Sequence, residues 1–308
     1  MSLTRRLLLA ASTNAWLREQ AMRRRFIRRS VSRFMPGEHI DDALAAARTL
    51  GQRGATTILT HLGENLERVE EAEEVTRHYL DVLDRVAVAG LDAQISIKPT
   101  QLGLDLDAAL CARNLDRLVE RAEQRRNFVW IDMESSPYVD RTLSLFRGVR
   151  ARSARVGVAL QAYLYRTEAD VEALMPLGAA IRMVKGAYLE PPEVAYPGKR
   201  DVDEQFYRLS CRLLVENVAP GAVLHIGTHD AALTERLLAF IDATGIPKPA
   251  YELAMLYGIQ RSQQRRLRAA ERPLRVLISY GEHWFPWYMR RLAERPANIW
   301  FVVKNVFG

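Results

Sequence analysis

The fold is decided by three consecutive segments, RVGVALQAYL at 155–164, EADVEALMPL at 168–177 and AAIRMVKGAY at 179–188. The first and third segments are nearly continuous apolar runs, which is typical of strands buried on both faces of a parallel sheet. The middle segment is a predicted helix. Since two parallel strands need a crossover connection, usually a helix, the three segments together predict one parallel βαβ unit.

The same alternation recurs along most of the chain. Eight apolar, β-branched runs predict strands, at 55–64, 92–100, 128–134, 155–164, 179–188, 222–230, 249–256 and 274–281. Helices are predicted at 66–86, 107–126, 138–150, 168–177, 201–217, 231–243, 258–270 and 284–294. Eight βα units in about 250 residues match the size of a closed (β/α)8 barrel.

An open doubly wound sheet is the alternative architecture. A dinucleotide-binding sheet of that kind usually carries a glycine fingerprint in its first βα turn. The chain contains no GxG, no GxxxxGK[ST] and no GxSxG. We therefore predict an α/β fold, a (β/α)8 TIM-type barrel at 51–308 preceded by a basic helical arm at 1–50, with the clearest break of the arm at Phe34-Met35-Pro36-Gly37.

The composition excludes several classes of protein. Of the 308 residues, 48% are hydrophobic and 26% charged, which rules out a disordered chain, a collagen and a disulfide scaffold. The two cysteines, Cys111 and Cys211, lie outside any CxxC and indicate a reduced compartment without a zinc ribbon. No run approaches 18 apolar residues, so no membrane span is predicted.

The net charge of +7 belongs to the N-terminal arm. Residues 1–33 carry nine arginines and one acid, Glu19, and the remaining 275 residues sum to −1. This distribution argues against a nucleic-acid-binding domain. Thr4-Arg5-Arg6 resembles a twin-arginine export signal, but the apolar run that follows is short. Three roles of the arm stay open: an organellar presequence, a solvated helix packed on the barrel, or a helix on anionic lipid. The packed helix is favoured.

Polar side chains cluster where the predicted strands end, which is where barrel enzymes place their chemistry. Strands that leave a core ordinarily turn polar, so one such residue means little. The lysines carry more weight, because the chain has five lysines against 39 arginines and two of the five lie in predicted strands. Lys98 with Asp132 suggests a cation beside a carboxylate that anchors an anionic substrate or tunes a proton transfer. A Schiff-base lysine is the rival interpretation.

Two other clusters carry side chains of the kinds that bind ligands. His225 and His229 stand about 13 Å apart on a strand, too far to share an ion, and we predict no metal site. In the last helix Arg290 and Glu294 are i,i+4 partners, and Arg291 points about 100° away from Arg290. Their long guanidinium stems can still converge on one carboxylate.

Four segments resemble the signature segments of the proline dehydrogenase family in order and spacing. They are Arg182-Met-Val-Lys-Gly-Ala-Tyr188, Gly227-Thr-His-Asp230, Tyr251-Glu-Leu-Ala-Met-Leu-Tyr-Gly258 and Tyr288-Met-Arg-Arg291. The resemblance covers about residues 50–305, and the length matches the monofunctional bacterial members. It implies a FAD-dependent enzyme whose barrel carries its last helix over the mouth.

The resemblance also implies a role for each matching residue. Lys98, Arg290 and Arg291 match the residues that clamp the substrate carboxylate, with Asp132 as the acid beside that lysine. Tyr188 and Leu256 match residues around the substrate ring, and Glu64 matches the acid that pairs with the first of the two helix arginines and closes the site. The matching flavin-binding positions are Gln161, Arg182, Lys185, Ala187, Thr228 and His229. Arg182 and Lys185 can supply the cations that the FAD pyrophosphate needs.

Two positions depart from the family pattern. Leu277 in the eighth strand and Trp287 before the arginine pair stand where the family leads us to expect tyrosine. Tyr280 is a poor substitute for the first, because a three-residue shift along a strand points a side chain to the opposite face. The departure at Leu277 leaves room for hydroxyproline or another cyclic imino acid.

The resemblance thus predicts oxidation of L-proline to Δ1-pyrroline-5-carboxylate by hydride transfer to flavin N5, with electrons passed on to a quinone. A cytoplasmic protein is expected, with its arm able to contact the inner membrane face and with no nucleic-acid partner. One alternative is a cofactor-free barrel lyase with Lys98 or Lys185 as the Schiff base. Another is a non-catalytic barrel whose arm binds lipid or nucleic acid.

Overall fold

The eight predicted strands form one closed, parallel barrel. The structure is a computed structural model that describes residues 31–63 and 66–293, without the side chains of residue 286 and residues 290–293. The strands are β1 Thr56–His61, β2 Ala93–Ile97, β3 Val129–Ile131, β4 Val156–Gln161, β5 Ala180–Val184, β6 Leu224–Gly227, β7 Tyr251–Leu256 and β8 Leu274–Tyr280. Each strand pairs with the next along the chain, and β8 pairs with β1. The predicted fold is confirmed, and the open doubly wound sheet is excluded.

Closure of the barrel rests on a long register between its first and last strands. β1 and β8 pair over six positions, from Thr56 opposite Arg275 to His61 opposite Tyr280. All six residues of β4 are buried, as expected of a strand covered on both faces. The observed strands are shorter than the predicted ones. The predicted runs include residues such as Lys98 and Asp132, which come directly after the last paired residue of β2 and β3. That position puts them at the barrel mouth.

Nine helices lie in the described part of the chain. They are α1 Ile40–Gly51, α2 Val69–Val88, α3 Ala108–Gln124, α4 Val139–Arg150, α5 Thr167–Leu174, α6 Lys199–Glu216, α7 Ala231–Thr244, α8 Arg261–Ala269 and α9 Trp284–Ala293. The helix predicted at 258–270 begins only at Arg261, because Gly258 and Gln260 adopt left-handed backbone conformations. None of these helices is both long and apolar enough to cross a membrane.

The main apolar core lies between the strands and the surrounding helices. α1, which the sequence assigned to the arm, contributes Ala43, Leu44 and Ala47 to this core. The first 30 residues, on which the hypotheses about the basic arm rest, lie outside the described residues. The boundary at residue 50 therefore stays a prediction.

Candidate active site

A cavity of about 630 Å³ lies at the C-terminal end of the barrel. Nine of the residues singled out from the sequence line it: Lys98, Asp132, Gln161, Arg182, Lys185, Ala187, Tyr188, His229 and Leu256. Thr228 is buried beside His229 in the chain without lining the cavity. Glu64 lies outside the described residues, and so do the side chains of Arg290 and Arg291, whose backbone belongs to α9. A second cavity, of about 460 Å³, lies between the N-terminal turns of α7 and α8 and contains none of the predicted residues.

Arg182 on β5 is the most deeply buried cation of the cavity, with 3% of its surface exposed. Its Nη2 forms an ion pair with Asp132 and donates a hydrogen bond to Ser96 Oγ at 2.8 Å. Burial lowers the pKa of Arg182, and the neighbouring Asp132 carboxylate opposes that shift. Its Nη1 is buried and has no hydrogen-bond partner among the described residues. Lys98, predicted as the cation beside Asp132, lines the same cavity, and Arg182 is a second cation beside that carboxylate.

Lys185 belongs to a cluster of two lysines and two aspartates. Both Lys185 and Lys199 contact Asp203 and Asp230, with the Lys185 Nζ and Lys199 Nζ atoms 3.3 Å and 3.0 Å from Asp230 Oδ2. Burial alone would raise the pKa of Asp230, but hydrogen bonds from Lys199, the Leu233 amide and Lys185 lower it to about 2. Sequence reasoning missed Lys199, although it is one of only five lysines and begins α6.

Gln161, at the end of β4, and His229, just after β6, both line the cavity and differ in how they are bonded. Gln161 Nε2 donates to the carbonyl of Met133 at 3.2 Å, while its Oε1 is buried without a partner among the described residues. His229 Nε2 accepts a hydrogen bond from the Leu256 amide at 2.9 Å, which ties the end of β6 to the end of β7. Gln161 therefore has a buried acceptor that a ligand could use, and the hydrogen bond to His229 fixes the position of the Leu256 backbone.

The backbone of the loop after β5 packs closely against the Tyr163 ring. Gly186 has a φ of +115°, and a Cβ atom there would lie 2.3 Å from the Tyr163 ring. Only glycine fits both the conformation and the space. Farther along this loop, Glu190 accepts hydrogen bonds from the amide and hydroxyl of Ser136 at 2.7 Å and 2.5 Å. These contacts place Ala187 and Tyr188 over the cavity.

The loop after β1, which leads to Glu64, is tied down by Gln101. Its Nε2 donates to the carbonyls of His61 and Gly63 at 2.9 Å and 2.7 Å. Gln101 is fully buried in the turn that follows Lys98. This side chain therefore fixes the backbone up to the residue before the predicted gate.

α9 lies at the barrel mouth, as predicted, where Trp287 lines the cavity. Its apolar side chains form a small cluster, here called the α9 cluster, made of Val31, Met35, Leu62, Trp284, Phe285, Trp287, Tyr288 and Met289. Trp284 Nε1 also donates a hydrogen bond to Glu38 Oε1 at 3.0 Å. The segment at 31–38 is thus a support for the helix that carries the two predicted arginines.

The two departures from the family pattern both reach the cavity. Leu277 and Trp287 line it, and Tyr280 does not. The Tyr280 hydroxyl lies 2.8 Å from His78 Nε2 of α2, outside the barrel strands. The prediction that Tyr280 faces away from Leu277 is confirmed.

Comparison with known proteins gives a consistent result. A family model described as proline dehydrogenase matches residues 43–304. "Proline dehydrogenase 2" of Bacillus subtilis subsp. natto is 34% identical over 99% of both chains, and "Proline dehydrogenase" of Deinococcus radiodurans is 36% identical over 89% of both. The crystal structure of proline utilization A from Bdellovibrio bacteriovorus, inactivated by N-propargylglycine, matches with a TM-score of 0.82 at 20% identity. That match covers 94% of this chain but 36% of the other, and at this identity it shows the shared barrel fold alone. The family match and the two relatives show that the chain belongs to the proline dehydrogenase family.

Proposed function

We propose that this protein oxidises L-proline to Δ1-pyrroline-5-carboxylate with FAD as its cofactor. The observation that carries the proposal is the cavity at the barrel mouth, in which the cations Lys98, Arg182 and Lys185 meet apolar residues of β7 and β8. A small amino acid and a flavin both require such a mixture, because each combines an anionic group with an apolar ring. The family membership supports the choice of proline.

The residues of the cavity fit a flavin. Arg182 Nη1 and Gln161 Oε1 are a buried donor and a buried acceptor without partners among the described residues, which is costly unless a ligand satisfies them. In this proposal FAD would be bound by Gln161, Arg182, Lys185, Ala187, Thr228 and His229. When bound, FAD supplies the acceptor for the hydride of the substrate.

The substrate side of the proposed site is assigned to other residues. Lys98, Arg290 and Arg291 would bind the proline carboxylate, and a carboxylate fixed by three cations has little orientational freedom. Tyr188 and Leu256 would pack on the ring and exclude water, and Glu64 would close the site by pairing with Arg290. Asp132 would keep Arg182 charged and oriented through their ion pair. We further propose that a quinone reoxidises the flavin and that the basic arm brings the protein to the membrane face.

The first experiment is the visible spectrum of the purified protein before and after anaerobic addition of L-proline. A flavin spectrum that bleaches supports the cofactor, the half-reaction and the substrate together. A colourless protein that cannot be reconstituted with FAD would reject the proposal and favour the lyase, which borohydride trapping at Lys98 or Lys185 would then test.

A matched pair of variants separates the two halves of the site. Lys98→Met should keep flavin bound and raise the KM for proline at least tenfold, since one of three carboxylate contacts is lost. Arg182→Met should instead weaken FAD binding, so that flavin dissociates at concentrations at which the wild type keeps it. If Lys98→Met lost flavin and left the KM unchanged, the assignment of Lys98 to the substrate would be wrong.

A second candidate substrate is hydroxyproline or another cyclic imino acid. It is favoured by Leu277, which lines the cavity where the family pattern predicts tyrosine. Comparing kcat/KM for proline and hydroxyproline in the wild type and in Leu277→Tyr tests this candidate. A wild type that is selective for proline, with a preference unchanged by Leu277→Tyr, would reject it.

A further inference from the structure

A buried tryptophan of β3 supports the Arg182 guanidinium. The ring centroid of Trp130 lies 5.2 Å from Arg182 Cζ, within the range of a cation–π interaction. Trp130 is fully buried and is absent from the lining of the cavity. It can therefore affect a ligand in the cavity only through its neighbours.

Three side chains on two adjacent strands surround the same guanidinium. Trp130 and Asp132 are two positions apart on β3 and the residues after it, so both point into the barrel. Ser96 lies opposite Trp130 in the register of β2 and β3 and accepts a hydrogen bond from Arg182 Nη2. Together they engage Nη2 and the guanidinium face, and they leave Nη1 without a partner among the described residues.

The position of the Trp130 ring is fixed by its neighbours on three sides. Its Nε1 donates to Gln94 Oε1 at 2.6 Å, and the His225 ring packs against it at an interplanar angle of 36°, with centroids 4.1 Å apart. Gly157, its register neighbour on β4, leaves the necessary space, because a Cβ there would lie 2.7 Å from the ring. A ring confined in this way restricts the arginine that packs on it.

We propose that Trp130 is a positioning residue of the cofactor site. Its ring, with Asp132 and Ser96, fixes the guanidinium of Arg182 and reserves Nη1 for an anionic group of the cofactor. A long side chain that is already ordered loses less conformational entropy when it binds. The inference rests on the proposed function, since it needs Arg182 to bind FAD.

A double-mutant cycle tests this inference. Flavin-free wild type, Trp130→Leu, Arg182→Met and the double variant are titrated with FAD, and the four dissociation constants are compared. Trp130→Leu should weaken FAD binding about tenfold, because a less ordered Arg182 side chain must then lose its rotamer freedom on binding. The double variant should bind FAD no more weakly than Arg182→Met, because Trp130 acts through Arg182.

Two controls separate positioning from simple stability. Trp130→Phe keeps an aromatic face and should weaken FAD binding less than about threefold. Phe128→Leu alters the ring that packs on Trp130 at 5.2 Å and should leave FAD binding unchanged. The thermal midpoint is measured for every variant, and if Trp130→Leu fails to fold, Trp130→Met replaces it in the cycle.

The outcomes distinguish this inference from the proposed function. If the wild type does not bind FAD, the proposed function itself fails. If Arg182→Met weakens FAD binding but Trp130→Leu binds FAD normally, only the positioning role of Trp130 is rejected. The positioning role would also be rejected if Trp130→Leu weakened FAD binding by the same factor in the wild type and in Arg182→Met. The ring would then affect FAD binding independently of Arg182.

Discussion

The interior of the barrel and the α9 cluster hold functional side chains in two different ways. Inside the barrel, Arg275 contacts Glu252 with two guanidinium nitrogens, the Thr57 carbonyl at 3.0 Å and Asp92 at 3.2 Å. His225 Nε2 lies 3.0 Å from the same Glu252. The described side chains of α9 contribute apolar packing and the hydrogen bond from Trp284 to Glu38.

The difference lies in directionality. Buried ions bonded across neighbouring strands keep their geometry, because breaking one bond leaves an uncompensated charge. Apolar packing is non-directional, so a helix attached mainly by it can shift slightly at little cost. The proposed flavin side of the cavity, where Arg182 pairs with Asp132 and Lys185 with Asp203 and Asp230, is held in the same way and is therefore the rigid side. The substrate side under α9 is the adjustable one.

The largest expected effect comes from breaking the interior ion pairs. Arg275→Met should lower the free energy of unfolding by about 3–5 kcal/mol, because Glu252 stays buried with fewer partners. Denaturant unfolding measures this. Arg152→Met, which breaks the surface ion pair with Asp116, is the control and should cost less than about 1 kcal/mol. Equal costs for the two variants would contradict the rigidity of the interior.

The second effect is a dependence of stability on pH. Burial lowers the pKa of His225 from 6.5 to about 4, although Glu252 opposes the shift. Between these values the unfolded chain binds a proton that the folded protein does not. Stability is therefore lost as the pH falls from 6.5 toward 4, by up to about 3 kcal/mol.

Unfolding curves measured between pH 4 and 7 test this dependence. His225→Gln should be less stable than the wild type at pH 7, because burial of its amide is less well compensated, but it should show a shallower decline on acidification. Parallel declines in the two proteins would show that His225 does not titrate as described. Burial also lowers the pKa of His61 to about 4, so His61 contributes to the loss of stability on acidification that His225→Gln still shows.

A smaller effect is expected at the support of α9. Trp284→Phe keeps the packing but removes the donor to Glu38, a loss of about 1 kcal/mol. If α9 positions the substrate-binding arginines, the KM for proline should rise about two- to fivefold while the affinity for FAD stays constant. Steady-state kinetics and a FAD titration measure both quantities. A changed FAD affinity with an unchanged KM would overturn the division into two sides.

The smallest effect on activity is expected at Tyr280, on the face of β8 that points away from the cavity. Tyr280→Phe removes the hydroxyl that contacts His78, so the free energy of unfolding should fall by about 1 kcal/mol. Since Tyr280 does not line the cavity, kcat/KM for proline should not change. A clear loss of kcat/KM would mean that Tyr280 does take the place of the missing tyrosine.

Much of the architecture could be predicted from local sequence patterns. Runs such as 155–164 are apolar on both faces, which already requires a covered parallel strand. The ends of those runs also predicted which residues reach the mouth, because a parallel barrel gathers all its strand ends at one side. Lys98, Asp132 and Arg182 were found in this way.

The pairing of those residues could not be predicted. Arg182 lies 50 positions from Asp132, and its contact with Trp130 depends on the register of β3 and β5 across the strand between them, β4. Lys199 was missed for a similar reason, since it reaches Asp230 only after the loop that follows β5 folds back. Patterns of polarity predict where such residues lie along the chain, but they do not predict which side chain each one contacts in the folded protein.

The six-position pairing of β1 with β8 has a consequence for synthesis of the protein. Its partners are about 220 residues apart, as Thr57 and Val276 show, so no such pair can form until nearly the whole chain has left the ribosome. Until then the free side of β1 offers unpaired amides and carbonyls to any other strand. The nascent chain is therefore most exposed to aggregation immediately before its last strand emerges, and a chain interrupted before β8 would keep that open edge permanently.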